Sequence, residues 1–177
     1  GNAPTVEGLQ RKLGPLSFER KAFAKPGAIR RNGGNNTPGR DAMKLEGGCY
    51  CGKVRYVAEG DPMMKAQCHC RECQYITGGS SNMFMVMPIA GFKYTGEAPK
   101  QFKRSDLERP MTREFCAECG THVATRPPGL PGVVIKVGTL DDPSLFDGPK
   151  MAIYTVDKQP YHHVPESMPA FERLPQR

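Results

Sequence analysis

Hydrophobic and polar positions alternate over short runs from residue 45 onward, a pattern that indicates β-strands joined by turns. Lys53–Ala58 alternates basic with apolar or aromatic residues, which predicts a half-buried strand. Asn82–Met87 is apolar on both faces and predicts a central strand. Gly91–Thr95 and Lys100–Arg104 are expected to form an edge hairpin. The remaining predicted strands are Met64–Cys68, Met111–Phe115, His122–Thr125, Val133–Leu140 and Met151–Val156.

Helical patterns are scarce in this sequence. One or two turns are expected after Cys70, and a second short helix is expected at Pro165–Phe171. The 177 residues include 20 Gly and 17 Pro, which favours many turns over a helical bundle. We therefore predict an all-β fold with very little helix.

The net charge of +7 is concentrated at one end of the chain. Residues 1–44 hold nine Lys or Arg against three acidic residues, a net +6, and also seven Gly and four Pro. The sequence therefore predicts a basic Gly/Pro-rich extension at 1–44 and a folded domain at 45–177. The extension either is flexible or docks on its own domain or on a second subunit, as in a homodimer. Residues 45–177 carry a net charge of only +1, so this domain is not expected to bind nucleic acid.

Compartment and membrane association follow from composition. No apolar run approaches the roughly 20 residues needed to cross a bilayer, so no membrane partner is expected. The 7 Cys are an odd number, and their spacings suit metal binding better than a disulfide framework. This favours a reducing environment and a cytoplasmic location.

The cysteines fall into three clusters, Cys49-Tyr-Cys51-Gly, Cys68-His-Cys70-Arg-Glu-Cys73 and Cys116-Ala-Glu-Cys119-Gly. In an extended segment, residues i and i+2 point to the same side, so two sulfurs can meet at one metal ion. Structural zinc takes four ligands, often two from each of two loops. The sequence thus predicts one closed zinc site at Cys49, Cys51, Cys116 and Cys119. The second zinc would have three ligands, Cys68, Cys70 and Cys73.

Three ligands are typical of a reactive zinc site, but alternatives stay open at the level of sequence. His69, His122, His162 or His163 could complete a second structural site, although His69 should face away from its neighbouring ligands. The trio could also act as a metal-free redox centre. Cys70 and Cys73 could instead pair with Cys116 and Cys119.

Four ordered motifs resemble one known family. They are Gly48-Cys-Tyr-Cys-Gly-Lys-Val-Arg-Tyr56, Cys68-His-Cys-Arg-Glu-Cys73, Phe115-Cys-Ala-Glu-Cys-Gly120 and Gly138-Thr-Leu-Asp-Asp142. The sequence is similar over residues 45–174 to the glutathione-dependent formaldehyde-activating enzymes, a family that includes centromere protein V. Tyr161 stands where family members often have Trp.

The resemblance implies a zinc-stapled β fold like that of the small Rab-interacting exchange chaperone. It also implies a closed zinc at Cys49, Cys51, Cys116 and Cys119, and an open zinc at Cys68, Cys70 and Cys73 near a glutathione site. The implied activity is carbon–sulfur lyase chemistry that makes or breaks S-(hydroxymethyl)glutathione.

The chemistry of a zinc site with three thiolates supports the same activity. Zinc with three thiolates can bind an incoming thiol or polarise an aldehyde oxygen, and both actions suit addition of a thiol to an aldehyde. Candidate partners for the carboxylates of glutathione are Arg71, Arg104, Arg109 and Arg113, and Gly78–Ser81 could bind a small anion. The alternative function is a non-catalytic, zinc-stapled binding module whose basic arm contacts nucleic acid or a protein partner.

Overall fold

The computed structural model describes residues 42–176. The predicted extension over 1–44 therefore lies outside the described residues, except for its last three positions. The all-β prediction is confirmed, because ten strands form two sheets and a single α-helix, α1 (Arg71–Thr77), accompanies them in the described range. The strands are β1 (Lys44–Gly48), β2 (Arg55–Glu59), β3 (Met64–Cys68), β4 (Asn82–Pro88), β5 (Phe92–Tyr94), β6 (Lys100–Phe102), β7 (Thr112–Phe115), β8 (His122–Arg126), β9 (Gly132–Lys136) and β10 (Ala152–Ile153).

The smaller sheet has the order β1-β2-β5 and is antiparallel throughout. Its inner face consists of alternate residues of β1 and β2, as a two-residue side-chain period requires. Leu45, Tyr56 and Ala58 are all buried on this face. Tyr56 also stacks on Phe92 of β5, with ring centroids 5.5 Å apart.

The larger sheet has the order β10-β3-β4-β9-β8-β7-β6, and only its pairing of β10 with β3 is parallel. Strand β4 is central, as its apolar sequence predicts. Met85 and Met87 belong to the hydrophobic core that also contains the inner face of the smaller sheet. Phe84 and Val86 point to the opposite face and pack in a second core with Cys68 and Cys73. The larger sheet is therefore buried on both faces near its centre.

The predicted edge hairpin is wrong. Strand β5 pairs with β2 in the smaller sheet, and β6 pairs with β7 in the larger one. After β5 the chain stays beside β2, because the backbone N–H groups of Thr95 and Glu97 donate to the carbonyl groups of Arg55 and Lys53. The chain therefore cannot fold back on β5, and β6 finds its partner elsewhere.

The helix predicted at Pro165–Phe171 is also absent from the described residues. A turn closed by a hydrogen bond from Met168 N–H to the Pro165 carbonyl stands there. Pro169 then removes a helical donor and disfavours helix at the preceding residue. The segment instead pairs with β10, where the N–H of Phe171 donates to the carbonyl of Ala152.

Two other predicted strands are shorter than expected. Strand β9 ends at Lys136 and continues as a 3-10 turn over Val137–Thr139, and β10 ends at Ile153. Strand β1 was not predicted. Among residues 42–176, no helix has the length and hydropathy needed to span a bilayer.

Candidate metal centres

The first group of thiols, called here the four-thiol cluster, consists of Cys49, Cys51, Cys116 and Cys119. Their sulfur atoms all lie within 4.8 Å of one another. The Cys49 and Cys51 sulfurs are 3.4 Å apart, and those of Cys51 and Cys116 are 3.6 Å apart. Four sulfurs bound tetrahedrally to zinc would lie about 3.8 Å apart, given zinc–sulfur bonds of about 2.3 Å. The spacing therefore fits a zinc ion.

Two similar turns build the four-thiol cluster. The β1–β2 turn carries Cys49 and Cys51, and the N–H of Gly52 donates to the Cys49 carbonyl at 3.0 Å. The β7–β8 turn carries the other pair, and the N–H of Gly120 donates to the Cys116 carbonyl at the same distance. Both glycines have positive φ, +82° and +70°, a conformation that resists side chains. The CxC-Gly and CxxC-Gly sequences thus form the turns that gather the sulfurs.

Donors around two thiols of the four-thiol cluster, Cys49 and Cys119, favour thiolate over thiol. The backbone N–H of Val54 donates to the Cys49 sulfur at 3.2 Å. The hydroxyl of Thr121 lies 3.2 Å from the Cys119 sulfur and accepts from the N–H of Tyr50 at 3.1 Å, which joins the two turns. Although burial acts in the opposite direction, the Thr121 contacts lower the pKa of Cys119 to about 6. Such an environment suits a metal that binds deprotonated sulfur.

The second group, called here the three-thiol cluster, consists of Cys68, Cys70 and Cys73. Their sulfur atoms lie within 4.8 Å of one another. Cys68 ends β3, and Cys70 is the N-cap of α1 and accepts a hydrogen bond from the Cys73 N–H at 3.4 Å. The helix therefore begins immediately after the extended Cys-His-Cys segment, and its first turn brings the third sulfur to the other two.

The three thiols do not ionise independently. The neighbouring thiols of Cys68 and Cys73 lower the pKa of Cys70, and the guanidinium of Arg113 acts in the same direction. The neighbouring thiols of Cys70 and Cys73, together with burial, raise the pKa of Cys68. Without a metal, one sulfur thus ionises easily while the other two keep their protons. A bound divalent cation would displace these protons, so that all three sulfurs would bind it as thiolates. The donor set accordingly fits zinc.

The four histidines, all of them within residues 42–176, take no part in either cluster. His69 faces away from the sulfurs, as predicted, and its Nδ1 lies 3.0 Å from Nδ1 of His162. His162 Nε2 contacts the Gly79 carbonyl at 2.8 Å. His122 Nε2 contacts the Ala124 carbonyl, and His163 is exposed. No carboxylate of the described part joins the three sulfurs either.

The grouping of the thiols separates the sequence-based alternatives. Cys70 and Cys73 do not join Cys116 and Cys119 within residues 42–176. All seven cysteines are free of disulfide bonds. The arrangement is therefore one set of four thiols and one set of three.

The candidate arginines have different surroundings. Arg113, which is largely buried, pairs with Glu72 of α1 beside the three-thiol cluster. Arg71 lies over the ring of Tyr75, 5.4 Å from its centroid, and also contacts Gln74. Arg104 pairs with Asp106, and Arg109 is exposed. Arg113 is thus the candidate whose charge acts on the cluster.

A cavity of about 720 Å³ lies beside Gln67, which is next to Cys68 in β3 and so points to the opposite face of the strand. The Gly78–Ser81 segment and Tyr161 line it. No cysteine does. Because the chemistry of a thiol centre needs sulfur at the reacting position, we place the candidate reactive site at the three-thiol cluster and not in this cavity.

Sequence reasoning missed Lys136, which is only 8% exposed. It ends β9 after Val133, Val134 and Ile135. Burial lowers the pKa of Lys136 to about 8, and the sulfur of Cys73 opposes this effect. A lysine within an apolar strand is the signal that could have identified it, because lysine is rarely buried without a partner.

Comparison with known proteins gives the family. The sequence profile of the "Glutathione-dependent formaldehyde-activating enzyme" family matches residues 44–157. The chain belongs to this family. Every cysteine of both clusters lies inside the matched range, as does Lys136.

Two individual proteins are similar to this member of the family. A Halomonas elongata protein named "Putative glutathione-dependent formaldehyde-activating enzyme" is 26% identical over 125 residues, which cover 67% of this chain and 78% of that protein. A crystal structure of a Rhodobacter sphaeroides protein aligns at 16% identity and a TM-score of 0.44. That alignment covers 54% of this chain and 87% of the other.

Proposed function

We propose that this protein is a zinc-dependent carbon–sulfur lyase that acts on a thiol–aldehyde adduct such as S-(hydroxymethyl)glutathione. Cys49, Cys51, Cys116 and Cys119 would hold a structural zinc, and Cys68, Cys70 and Cys73 would hold the reactive one. The proposal rests on one observation. Four thiols form a complete ligand set, whereas three converge without a histidine or carboxylate of the described residues joining the group of ligand atoms.

The reaction is a reversible addition. The thiolate of glutathione forms a bond to the carbonyl carbon of formaldehyde, the carbonyl electron pair moves to oxygen, and the oxygen takes a proton from water. The reverse reaction breaks the carbon–sulfur bond and returns the thiol and the aldehyde. Zinc, when bound, lowers the pKa of an incoming thiol and keeps the sulfur nucleophilic at neutral pH.

The chain's own residues have defined tasks in this proposal. Cys68, Cys70 and Cys73 fix the position of the centre at the junction of β3 and α1. Arg113 lies beside them, and its ion pair with Glu72 holds the helix against β7. The free state of all seven thiols supports a reducing compartment, and we include a cytoplasmic location in the proposal.

Cobalt substitution tests the reactive site. Cobalt replaces zinc in thiolate sites and reports its ligands through visible absorption. Titration of the cobalt protein with glutathione should change these bands, and Cys70→Ser should abolish the change. Cys51→Ser is the matched control, since it alters the other cluster and should leave the glutathione response in place.

Turnover requires a separate measurement. Exchange spectroscopy by NMR with labelled formaldehyde and glutathione compares the adduct exchange rate with and without protein. We expect the zinc protein to accelerate exchange above the spontaneous rate and Cys70→Ser to return it to that rate. The proposal would be contradicted if the cobalt bands did not change on addition of glutathione and the protein left the exchange rate unchanged.

The charge of the N-terminal segment supports a second candidate function. Residues 1–44 carry a net charge of +6, which suits an arm that binds nucleic acid or an acidic protein surface, or that mediates a homodimer. Binding to a nucleic acid duplex should then weaken as salt rises and disappear when residues 1–41 are removed. Binding that survives this truncation would contradict the arm hypothesis.

A further inference from the structure

Lys136 is a largely buried lysine, 8% exposed, with no hydrogen-bond or ion-pair partner in the described part of the chain. Its side chain lies at the end of β9, and no hydrogen bond or ion pair within residues 42–176 involves its ammonium group. A buried charge is costly unless an opposite charge or several acceptors compensate it. The position of Lys136 therefore calls for an anionic neighbour.

Strand pairing shows which neighbour this is. Lys136 lies opposite Phe84 of β4, and Phe84 lies opposite Ala66 of β3. Directly opposed residues share a face of the sheet, and Cys68 shares the face of Ala66 because it lies two positions further along β3. Lys136 and Cys68 thus occupy the same face. Phe84 packs there with Cys68 and Cys73 in one hydrophobic cluster.

Other charges near the three-thiol cluster are already compensated. Arg113 also acts on Cys70, but it forms an ion pair with Glu72, so that pair adds no net charge. His69 lies between Cys68 and Cys70 in sequence, but its ring contacts His162 and not the sulfur atoms of the cluster. Unlike Arg113, Lys136 has no ion-pair partner among the described residues, so its charge remains uncompensated.

The position of Lys136 affects which fourth ligand the metal centre would prefer, a consequence that rests on the proposed function. A divalent metal with three thiolates carries a net charge of −1, and a thiolate as fourth ligand would make this charge −2. A neutral ligand would leave it at −1. A nearby cation favours the more negative state, and the effect is larger at a largely buried position than in bulk water.

We propose that Lys136 is a specificity-determining residue, whose positive charge makes the three-thiol centre prefer an anionic sulfur ligand over a neutral one. The same charge strengthens binding of the metal by the three thiolates. Lys136 thus acts on the centre without being a metal ligand itself.

The test compares two ligands in the full-length cobalt-substituted protein near neutral pH. Mercaptoethanol binds as a thiolate and has no carboxylate, and imidazole binds as a neutral molecule. Lys136→Met keeps the apolar stem, Lys136→Arg keeps the charge, and Lys158→Met removes an exposed lysine as a control. Affinities are read from the cobalt bands.

We expect Lys136→Met to reduce the ratio of thiol affinity to imidazole affinity by about tenfold or more, the effect of one pKa unit of charge interaction. Lys136→Arg and Lys158→Met should keep the ratio within about threefold of the unaltered protein. A structural role alone would change both affinities together. An unchanged ratio in Lys136→Met, or an equal loss in Lys136→Arg, would overturn the inference.

Two further measurements make this test independent of folding defects and of the proposed function. The cobalt bands of the four-thiol cluster report whether each variant is folded. If the unaltered protein shows no response to any thiol, the proposed function fails, and competition with a chelator still measures cobalt affinity at the three-thiol cluster. Lys136→Met should then bind cobalt more weakly than Lys136→Arg, and equal affinities would overturn the role of Lys136.

Discussion

One buried polar residue, Glu114, is held by partners from several strands. The Glu114 carboxylate, in a side chain only 2% exposed, accepts hydrogen bonds from the Tyr94 hydroxyl at 2.7 Å, the Gln101 amide at 2.9 Å and the Arg126 guanidinium at 2.8 Å. These partners lie on three strands besides its own, β5, β6 and β8. The carboxylate thus joins the edge of the smaller sheet to the far end of the larger one.

Replacement of Glu114 by Gln tests this network. The amide carries no charge for Arg126, so we expect the free energy of unfolding to fall by about 3 kcal/mol. Glu118→Gln is the matched control, because Glu118 forms an exposed ion pair with Lys53 and should change stability little. Urea unfolding of both variants measures the difference. Equal stabilities would show that the network contributes nothing.

His122 gives a prediction about pH. Burial lowers the pKa of His122 to about 3, so the folded protein keeps this imidazole neutral. The unfolded chain binds a proton near the ordinary pKa of about 6.5, and stability is therefore lost as pH falls from about 6.5 towards 3.

His122→Gln removes this titration and keeps a donor for the Ala124 carbonyl, which lies 2.9 Å from Nε2. Between pH values of about 6.5 and 5.5, the unaltered protein should lose about 1 kcal/mol more unfolding free energy than the variant. Urea unfolding of both proteins at each pH measures this difference. Parallel pH dependences would mean that His122 does not titrate on unfolding.

Contacts between elements depend on close backbone approach. A Cβ added at Gly47 of β1 would lie 2.4 Å from the Thr139 carbonyl oxygen and 2.4 Å from the Tyr56 hydroxyl. Thr139 lies in the turn that follows β9, so this glycine allows the smaller sheet to approach the end of a central strand of the larger one. The isolated pairing of Gly47 with Leu140 continues this contact.

Gly47→Ala should therefore destabilise the protein by about 2 kcal/mol, since neither neighbour can move freely. Gly138→Ala is the control, because a Cβ there meets nothing within 4 Å. The control should unfold at nearly the same temperature as the unaltered protein. Thermal unfolding followed by circular dichroism compares the two. A Gly47→Ala protein as stable as the control would contradict this account of the interface.

The two clusters should differ in their effect on the whole molecule. The four-thiol cluster joins turns that belong to different sheets, whereas the three-thiol cluster lies within one short segment. We expect Cys116→Ser to lose about one zinc and to lower the unfolding temperature by about 10 °C, because metal binding to distant segments contributes to folding.

Cys70→Ser is the comparison. It should also lose about one zinc but lower the unfolding temperature much less, since its ligands are already close in sequence. Elemental analysis and thermal unfolding measure both effects. Similar losses of stability in the two variants would contradict the division into a structural and a reactive centre.

Local patterns predicted most of the strands and both groups of thiols. Strand β3 has its predicted bounds, and CxC and CxxC spacings restrict where sulfurs can point. Partner choice was not predictable, because the pairing of β5 and β6 depends on segments far away in sequence. Strand β1 was missed because two of its five residues are glycine, which weakens the strand pattern.

The separation of the four-thiol cluster along the chain affects how the protein is made. Cys51 and Cys116 are 65 positions apart, although their sulfurs end 3.6 Å from each other. On the ribosome, Cys49 and Cys51 emerge well before Cys116 and Cys119. Until then, this cluster offers a metal ion only two protein ligands. A metal ion can join the two sheets through this cluster only after Cys119 has been synthesised, so a chain that lacks its later pair cannot yet gain the stability that the metal would supply.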